Sequence, residues 1–504
     1  MRATILPVST DDVTTTAQVL SLLILVVVLV LEIGLRLLVL GIIPRGRKPS
    51  VAMAWLLLFY IDPIVGFVVF RLFGSTRLGR KRHERHRQAH ERIAAATEGL
   101  PRPLEALPGV TSGVRTAARL NRRLGAFPVT DGNDVELIAD YHESLAAMAE
   151  AVDGARSFVH VEFYITAWDE ATDPVFRALV RATERGVDVR MLFDHLGSRG
   201  IPGYKTMLQR LAETRIEWYR MLPIQPLKRR WRRPDLRNHR KILIVDGEVA
   251  FTGSQNLVEP GYNKPKNHEA GREWVDLMMR VRGPSVAALS AVFAGDWYVE
   301  TGSELSVVAP PPVVPQDTGR DPVMAQVLPS GPGFPDENNL RMFTTLIYGA
   351  EHRLRIVSPY FVPDESMLYA VTTAAQRGVD VELFVSEQAD QFMVGHAQAS
   401  YYEDLLTAGV RIWLYPAPQI LHTKCFTVDD AVAVVSTSNM DQRSFALNYE
   451  VTMMLVGADA TARLNAVEDS YRDASRPLGS EEWQDRPFRK RWLDNVMRLT
   501  AALQ

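Results

Sequence analysis

"NHRKILIVDG", residues 238–247, places His239 and Lys241 two apart, ahead of four apolar residues and an Asp-Gly pair. "LHTKCFTVDD", residues 421–430, repeats the arrangement, so His239-x-Lys241-x₄-Asp246 and His422-x-Lys424-x₄-Asp429 share one spacing. In a strand, residues i and i+2 point to the same face, so each His shares a face with its Lys. The runs "ILIV" and "CFTV" suit strands covered on both sides. Asp246-Gly247 signals a hairpin, followed by "EVAFTG"; the copy has Asp429-Asp430 followed by "AVAVVS". Each return strand ends in a polar patch, Gly253-Ser254-Gln255-Asn256 and Ser436-Thr437-Ser438-Asn439. Each half of the chain therefore delivers a His, a Lys, a hydroxyl and an Asn close together.

The duplication extends outward from these hairpins. "SFVHVEFYI" (157–165) reads as a strand, "PVFRALVRATER" (174–185) as an amphipathic helix opened by Pro174, and "VDVRMLF" (187–193) as the next strand. Further on, "LRIVSPYFV" (354–362), "SMLYAVTTAAQR" (366–377) and "VDVELFV" (379–385) repeat that order. A period of nearly 200 residues is too long for a solenoid and implies two copies of one α/β domain. "APPPVVPQ" (309–316) reads as a semi-rigid spacer between them. The expected organisation is an N-terminal segment over 1–73, a basic juxtamembrane linker over 74–119, domains over 120–308 and 324–504, and a Pro-rich linker over 309–323.

The residue set suits a phosphodiester. Lys ammonium and Asn amide groups stabilise charge on phosphoryl oxygens. One neutral imidazole can attack phosphorus, and a second can protonate the departing alkoxide and then deprotonate an incoming alcohol. Each half has only one such His, so both halves are expected to meet at one site. This chemistry requires no metal, and no second His or Cys stands at ligand spacing. Asp246 and Asp429 read from position as turn formers. Cys425, the one cysteine in 504 residues, reads as a small apolar strand residue, and a single cysteine excludes an intramolecular disulfide.

The chain opens on apolar runs. Residues 17–43 carry only Glu32 and Arg36 as charges, spaced to pair on one helix face. Residues 51–72 form a second run interrupted by Asp62-Pro63, read as a kinked span, with a re-entrant or interfacial hairpin as the alternative. Asp11 and Asp12 before the first run argue against a cleaved leader. Basic residues cluster after the second run, from Arg71 through Arg92, against Arg45, Arg47 and Lys48 between the runs. The larger cluster places the catalytic domains in the cytoplasm, with two transmembrane helices in the cell membrane.

A net charge of −2 means that any cationic surface is local. The arginine-dense "KRRWRRPDLRNHR" (228–240) is one, and Trp231 within it favours an anionic lipid surface over nucleic acid. At the C-terminus, Phe488, Trp492, Val496 and Leu499 recur at helical spacing amid Arg489, Lys490, Arg491 and Arg498. That stripe reads as core packing or as an interfacial helix.

The paired motif, with its downstream Gly-(Ser/Gly/Thr)-x-Asn, resembles the phospholipase D superfamily, from about residue 120 to the end. Within it, the amino-terminal apolar hairpin, "VLPSGP" (327–332), "IVSPYFVPDE" (356–365), two "RGVDV" segments and "SNMDQRSFALNYE" (438–450) are similar to bacterial cardiolipin synthases. The resemblance implies two pseudo-symmetric α/β domains, each a mixed sheet flanked by helices, with a site at their interface. It implies transfer of a phosphatidyl group between two phosphatidylglycerol molecules, releasing glycerol, with no cofactor. Phospholipase D-type hydrolysis uses the same covalent intermediate and is the alternative. It implies a catalytic set of His239, Lys241, Asp246, His422, Lys424 and Asp429, with His239 as nucleophile and His422 as general acid/base, or the reverse by pseudo-symmetry. Ser254, Asn256, Thr437 and Asn439 would bind phosphate, and Asp276 (in "EWVDL") and Glu450 (in "NYE") would orient the histidines. One position departs from the pattern: Ser436 stands where the family has Gly.

Overall fold

The structure, a computed structural model, describes residues 10–45, 47, 49–74, 79–97, 110–125, 127–224, 234–306, 320–334 and 336–501. The Pro-rich stretch at 309–316 and Trp231 with most of the basic run lie outside the described residues. The chain divides into two compact units, Met1–Thr76 and Arg77–Gln504.

The first unit is helical. α1 (Thr10–Ile42) contains Gln18–Ile42, the one helix among the described residues long and apolar enough to cross a membrane. Glu32 and Arg36 pair at 2.5 Å along it, as their spacing predicts. α2 (Pro49–Ile61) packs against it through Val39, Ile43, Ala52 and Phe59. The second apolar run is broken rather than kinked. The Asp62 carboxylate accepts from the amides of Ile64 and Val65 at 2.9 and 3.0 Å and so starts a separate helix, α3 (Pro63–Val69). An N-cap followed by Pro at the first helical position is a strong start signal. The pieces, 13 residues long and, with the π-helical turn Phe70–Gly74 that continues α3, 12 residues long, each fall short of the ~20 residues that a helix crossing a bilayer needs.

The second unit is built on one continuous sheet. Its first half supplies β1 (Thr130–Ile138), β2 (Phe158–Phe163), β3 (Asp188–Asp194), β4 (Glu217–Met221), β5 (Lys241–Val245), β6 (Val249–Gly253) and β7 (Met278–Arg282). The second half supplies β8 (Val323–Ser330), β9 (Arg353–Val357), β10 (Asp380–Ser386), β11 (Arg411–Tyr415), β12 (Cys425–Val428), β13 (Val432–Ser436) and β14 (Asn448–Val456). The order β4-β3-β2-β5-β6-β7-β1 meets its copy, β8-β14-β13-β12-β9-β10-β11, at an antiparallel β1–β8 seam. Each half is mixed: β2, β3 and β4 run parallel, while β5 joins β2 and β6 antiparallel. The same pattern holds for β9 to β13.

Strand periodicity divides the core. Ile242 and Ile244 of β5, Ala433 and Val435 of β13, and Val451, Met453 and Leu455 of β14 enter one apolar cluster shared by both halves. Their neighbours Leu243 and Val245 enter a cluster of the first half, while Val432, Val434, Met454 and Val456 enter one of the second. Each strand is thus covered on both faces, which explains its continuous apolar reading.

The segment read as a basic linker holds two packed helices, α4 (Arg80–Thr97) and α5 (Ser112–Gly125). Arg82 of α4 is buried against Glu300 at 2.7 Å, and His86 meets the Tyr449 hydroxyl at 2.9 Å. α5 buries Val114, Ala117, Ala118, Asn121 and Gly125, a helical spacing, and packs on the helix Asn338–Tyr348.

Candidate active site

Each histidine sits between two residues that pair with the other half and the strand that follows in its own half. Arg237–Asn238 pairs in parallel with Asn448–Tyr449, and the His239 amide donates to the Tyr449 carbonyl at 2.8 Å. Ile420–Leu421 pairs in parallel with Trp274–Val275, and the His422 amide donates to the Val275 carbonyl at 2.7 Å. His239 and His422 therefore lie just outside β5 and β12, in the links ahead of them, rather than within the strands as their spacing suggested. A main-chain bond to the opposite half fixes each one.

That crossing decides which carboxylate serves which imidazole. His239 Nδ1 lies 3.1 Å from Glu450 of the second half. His422 Nδ1 lies 2.7 Å from Asp276 of the first half. All four groups are buried. A carboxylate beside Nδ1 accepts a hydrogen bond from the ring N–H there, which keeps the proton on Nδ1 and leaves the Nε2 lone pair free.

Ser254 and Thr437 stand behind the carboxylates. Ser254 Oγ donates to Asp276 at 2.6 Å and accepts from the Leu277 amide at 2.9 Å. Thr437 Oγ1 donates to Glu450 at 2.5 Å and accepts from the Val451 amide at 2.9 Å. Their donor capacity is spent on these carboxylates. This corrects their expected role as phosphate ligands: they hold the groups that hold the histidines.

Lys241 and Lys424 each donate back to the carbonyl of their own motif's His, at 2.6 and 2.5 Å. Burial pushes Lys241 down to about 8 and Lys424 to about 7, against the attraction of Asp276 and Glu450. Burial also pushes both histidines down to about 4, although each has a carboxylate beside it. Each histidine feels the Lys of the other motif as well as its own, so the four groups form one electrostatic unit. Asn256 Oδ1 accepts from the Ile165 amide at 3.1 Å, and its amide nitrogen donates to the Tyr262 hydroxyl at 2.8 Å, which fixes its orientation. Asn439 is buried in the equivalent loop.

Asp246 and Asp429 are not brought into this group, which corrects their placement in the catalytic set. Asp246, at φ 54°, accepts from the amides of Arg156, Ser157 and Phe158 at 2.8–2.9 Å. Asp429, at φ 51°, does the same for His352 and Arg353 at 2.8 and 2.9 Å. Both tie a hairpin tip to the start of the neighbouring strand, the far end of β5 and β12 from the histidines. Cys425 is buried in β12 beside Glu468, and burial raises its thiol well above the usual range.

Sequence reading missed Tyr164 and Arg240. The Tyr164 ring lies 4.5 Å from the His239 ring, centroid to centroid. Arg240, between the motif's His and Lys, pairs with Asp296 and donates to the Glu450 carbonyl at 3.0 Å. The alternation of "HVEFYI" signals Tyr164 as a same-face neighbour of Glu162; nothing local marks Arg240.

Two histidine–lysine sets with crossed carboxylates, on a duplicated sheet, narrow the comparison. The family described as "Cardiolipin synthase, PLD-like domain" matches residues 148–297 and 343–470, one segment in each half. The chain belongs to this family. Cardiolipin synthase A of Pectobacterium carotovorum subsp. carotovorum (strain PC1) is 35% identical over 473 residues, 92% of this chain and 95% of that protein. Cardiolipin synthase A of Yersinia pseudotuberculosis serotype I (strain IP32953) is 35% identical over 89% of this chain and 92% of its own length. Among solved structures, the phosphatidylserine synthase of Haemophilus influenzae Rd KW20 shares the fold, with a TM-score of 0.55 at 16% identity, covering 77% of this chain and 99% of its own. That likeness is one of fold.

Proposed function

We propose that this chain is a membrane-bound cardiolipin synthase that transfers a phosphatidyl group from one phosphatidylglycerol to the terminal glycerol hydroxyl of another. The observation that carries this reading is the pair of Nε2 atoms freed by crossed carboxylates. The 35% identity to cardiolipin synthases across 92% of the chain supports it. His239 Nε2 attacks phosphorus, and the bond from phosphorus to the glycerol oxygen breaks. His422 delivers the proton to that oxygen, and glycerol leaves. The second phosphatidylglycerol hydroxyl then gives its proton to His422 as its oxygen displaces the histidine from phosphorus. Lys241, Lys424, Asn256 and Asn439 stabilise the phosphoryl oxygens.

Histidines lowered to about 4 are neutral at pH 7, which suits the attacking role. The proton donor acquires its proton with substrate, because a bound phosphodiester anion favours an imidazolium. Gln18–Ile42 anchors the chain in the membrane, and the two short apolar helices of the broken run together complete a second pass, with the catalytic unit on the cytoplasmic side by the distribution of basic residues.

The test supplies labelled phosphatidylglycerol and a chelator to membranes bearing the protein or His239→Ala. The expected result is cardiolipin with an equivalent of glycerol from the intact protein alone. Phosphatidic acid as the main product identifies a hydrolase instead. Equal turnover by the variant removes the histidine assignment.

A further inference from the structure

The C-terminal stripe does not pack into the core. Phe488 and Trp492, on the helix Phe488–Arg498, are 71% and 57% exposed. Phe392 and Met393, which open the helix Phe392–Ala399, are 65% and 43% exposed. The two helices pack against each other. His396 Nδ1 meets Asp494 at 2.7 Å, and Arg498 donates to the Ser400 carbonyl at 3.4 Å. Both contacts join residues 98 apart, so the helices run parallel and in register. The same offset sets Phe392 beside Lys490. All four exposed apolar side chains therefore gather at one end of the helix pair, together with Arg489, Lys490 and Arg491. Those three are exposed, and none forms an ion pair among the described residues.

This end borders the candidate site. Gln391 donates to the Tyr360 hydroxyl at 3.1 Å, and that hydroxyl donates to Asp390 at 2.7 Å. Tyr360 precedes Phe361–Val362, which pairs with Met440–Asp441 immediately after Asn439.

We propose that Phe392, Met393, Phe488 and Trp492, fringed by Arg489, Lys490 and Arg491, form a surface that inserts into an anionic lipid bilayer beside the mouth of the active site. Aromatic rings with cationic neighbours match the layered chemistry of a bilayer, an anionic headgroup plane over hydrocarbon. A second copy of this chain fits less well. A two-fold contact repeats the same patch and sets like charges against each other. For its purpose the inference rests on the lipid-transfer reading above: a substrate with two acyl chains leaves the bilayer at high cost, so a mouth seated on the membrane shortens its path.

The one native cysteine is buried, so a fluorophore can report from one introduced position in the full-length protein. Trp492→Cys, Phe392→Cys and, as an exposed control in the first half, Glu213→Cys are labelled and reconstituted into vesicles containing brominated-tail lipids. Quenching at 492 and 392 but not at 213, stronger in phosphatidylglycerol vesicles than in phosphatidylcholine, is expected. Equal quenching at all three positions overturns the proposal. So does a label at 492 that is shielded in detergent alone in proportion to protein concentration, the sign of a second copy. In the activity arm, Phe392→Ser/Trp492→Ser should raise KM for bilayer phosphatidylglycerol roughly tenfold and leave kcat on detergent-dispersed substrate within about twofold. An unchanged KM in an active preparation counts against the docking surface. A wild-type protein that binds through 392 and 492 yet makes no cardiolipin in either medium counts against the function and leaves the docking surface standing.

Discussion

The two halves of the catalytic unit share a strand order yet furnish their histidines differently. His422 has the shorter aspartate at 2.7 Å; His239 has the longer glutamate at 3.1 Å, with the Thr437 carbonyl 3.2 Å away from the same nitrogen. Both histidines are nonetheless lowered to about 4, so the two sets differ in partner geometry and not in basicity. The half-site loops differ as well. At Gly253 an added Cβ would collide with the Leu277 carbonyl oxygen and lie 2.9 Å from the Met278 Cα. At Ser436 the backbone accepts a side chain, whose hydroxyl meets Thr452 at 2.6 Å and takes the Ser438 amide at 2.9 Å. A duplicated fold can keep its chemistry while one loop becomes self-capping and the other stays dependent on glycine.

The sharpest way to break the comparison is to remove each histidine. His239→Ala and His422→Ala should each lower kcat on the order of 10⁶-fold. They should differ in what accumulates: rapid quenching should find labelled phosphatidyl group on the protein in His422→Ala only. Label retained by His239→Ala instead reverses the roles. Next come the crossed carboxylates. Asp276→Asn and Glu450→Gln should each cost roughly 10³- to 10⁴-fold in kcat with little change in Tm. Asp276→Asn, though in the first half, should resemble a weakened His422→Ala and accumulate the intermediate.

The pH dependence follows from shifts shared by both halves. The histidines, lowered to about 4, remain neutral until the pH approaches that value, and the lysines, lowered to about 8 and 7, lose their charge as pH rises through those values. A bell-shaped pH–rate profile is expected, and Lys424→Arg should move its alkaline limb upward. Because both histidines bind protons more readily unfolded than folded, they make stability fall as pH drops from about 6.5 toward 4. Urea titrations across that window check the sign.

Smaller effects separate the loops. Gly253→Ser should destabilise by about 3 kcal/mol, whereas Ser436→Gly should cost only about 1 kcal/mol, the loss of a hydroxyl and some backbone entropy. Asp246→Ala and Asp429→Ala should each cost about 2 kcal/mol in stability, because a left-handed turn residue loses the amides it caps, with kcat of the folded enzyme unchanged. A large kcat loss would return these aspartates to the catalytic set.

The alternation and spacing of the chain made the duplicated α/β order, the hairpins and the gathering of His239, Lys241, His422 and Lys424 legible. The crossing was not. It is built by two-residue pairings, Arg237–Asn238 with Asn448–Tyr449 and Ile420–Leu421 with Trp274–Val275, which are too short to leave a periodic trace. Ser254 and Thr437 were misread for a different reason: each bonds a carboxylate of its own half, Asp276 or Glu450, across adjacent strands whose register the motif spacing does not state. The break at Asp62 was visible as Asp-Pro, but its cap required the geometry of the following helix. Residues 112–125 did carry an apolar helical period, masked by their many arginines.

The crossed carboxylates also set a timetable. A ribosome releases His239 long before Glu450, which lies nine-tenths of the way along the 504 residues. Until then the nascent first half holds an imidazole whose Nδ1 partner has not yet been made. A chain that ends before Glu450 therefore lacks the carboxylate that His239 Nδ1 meets.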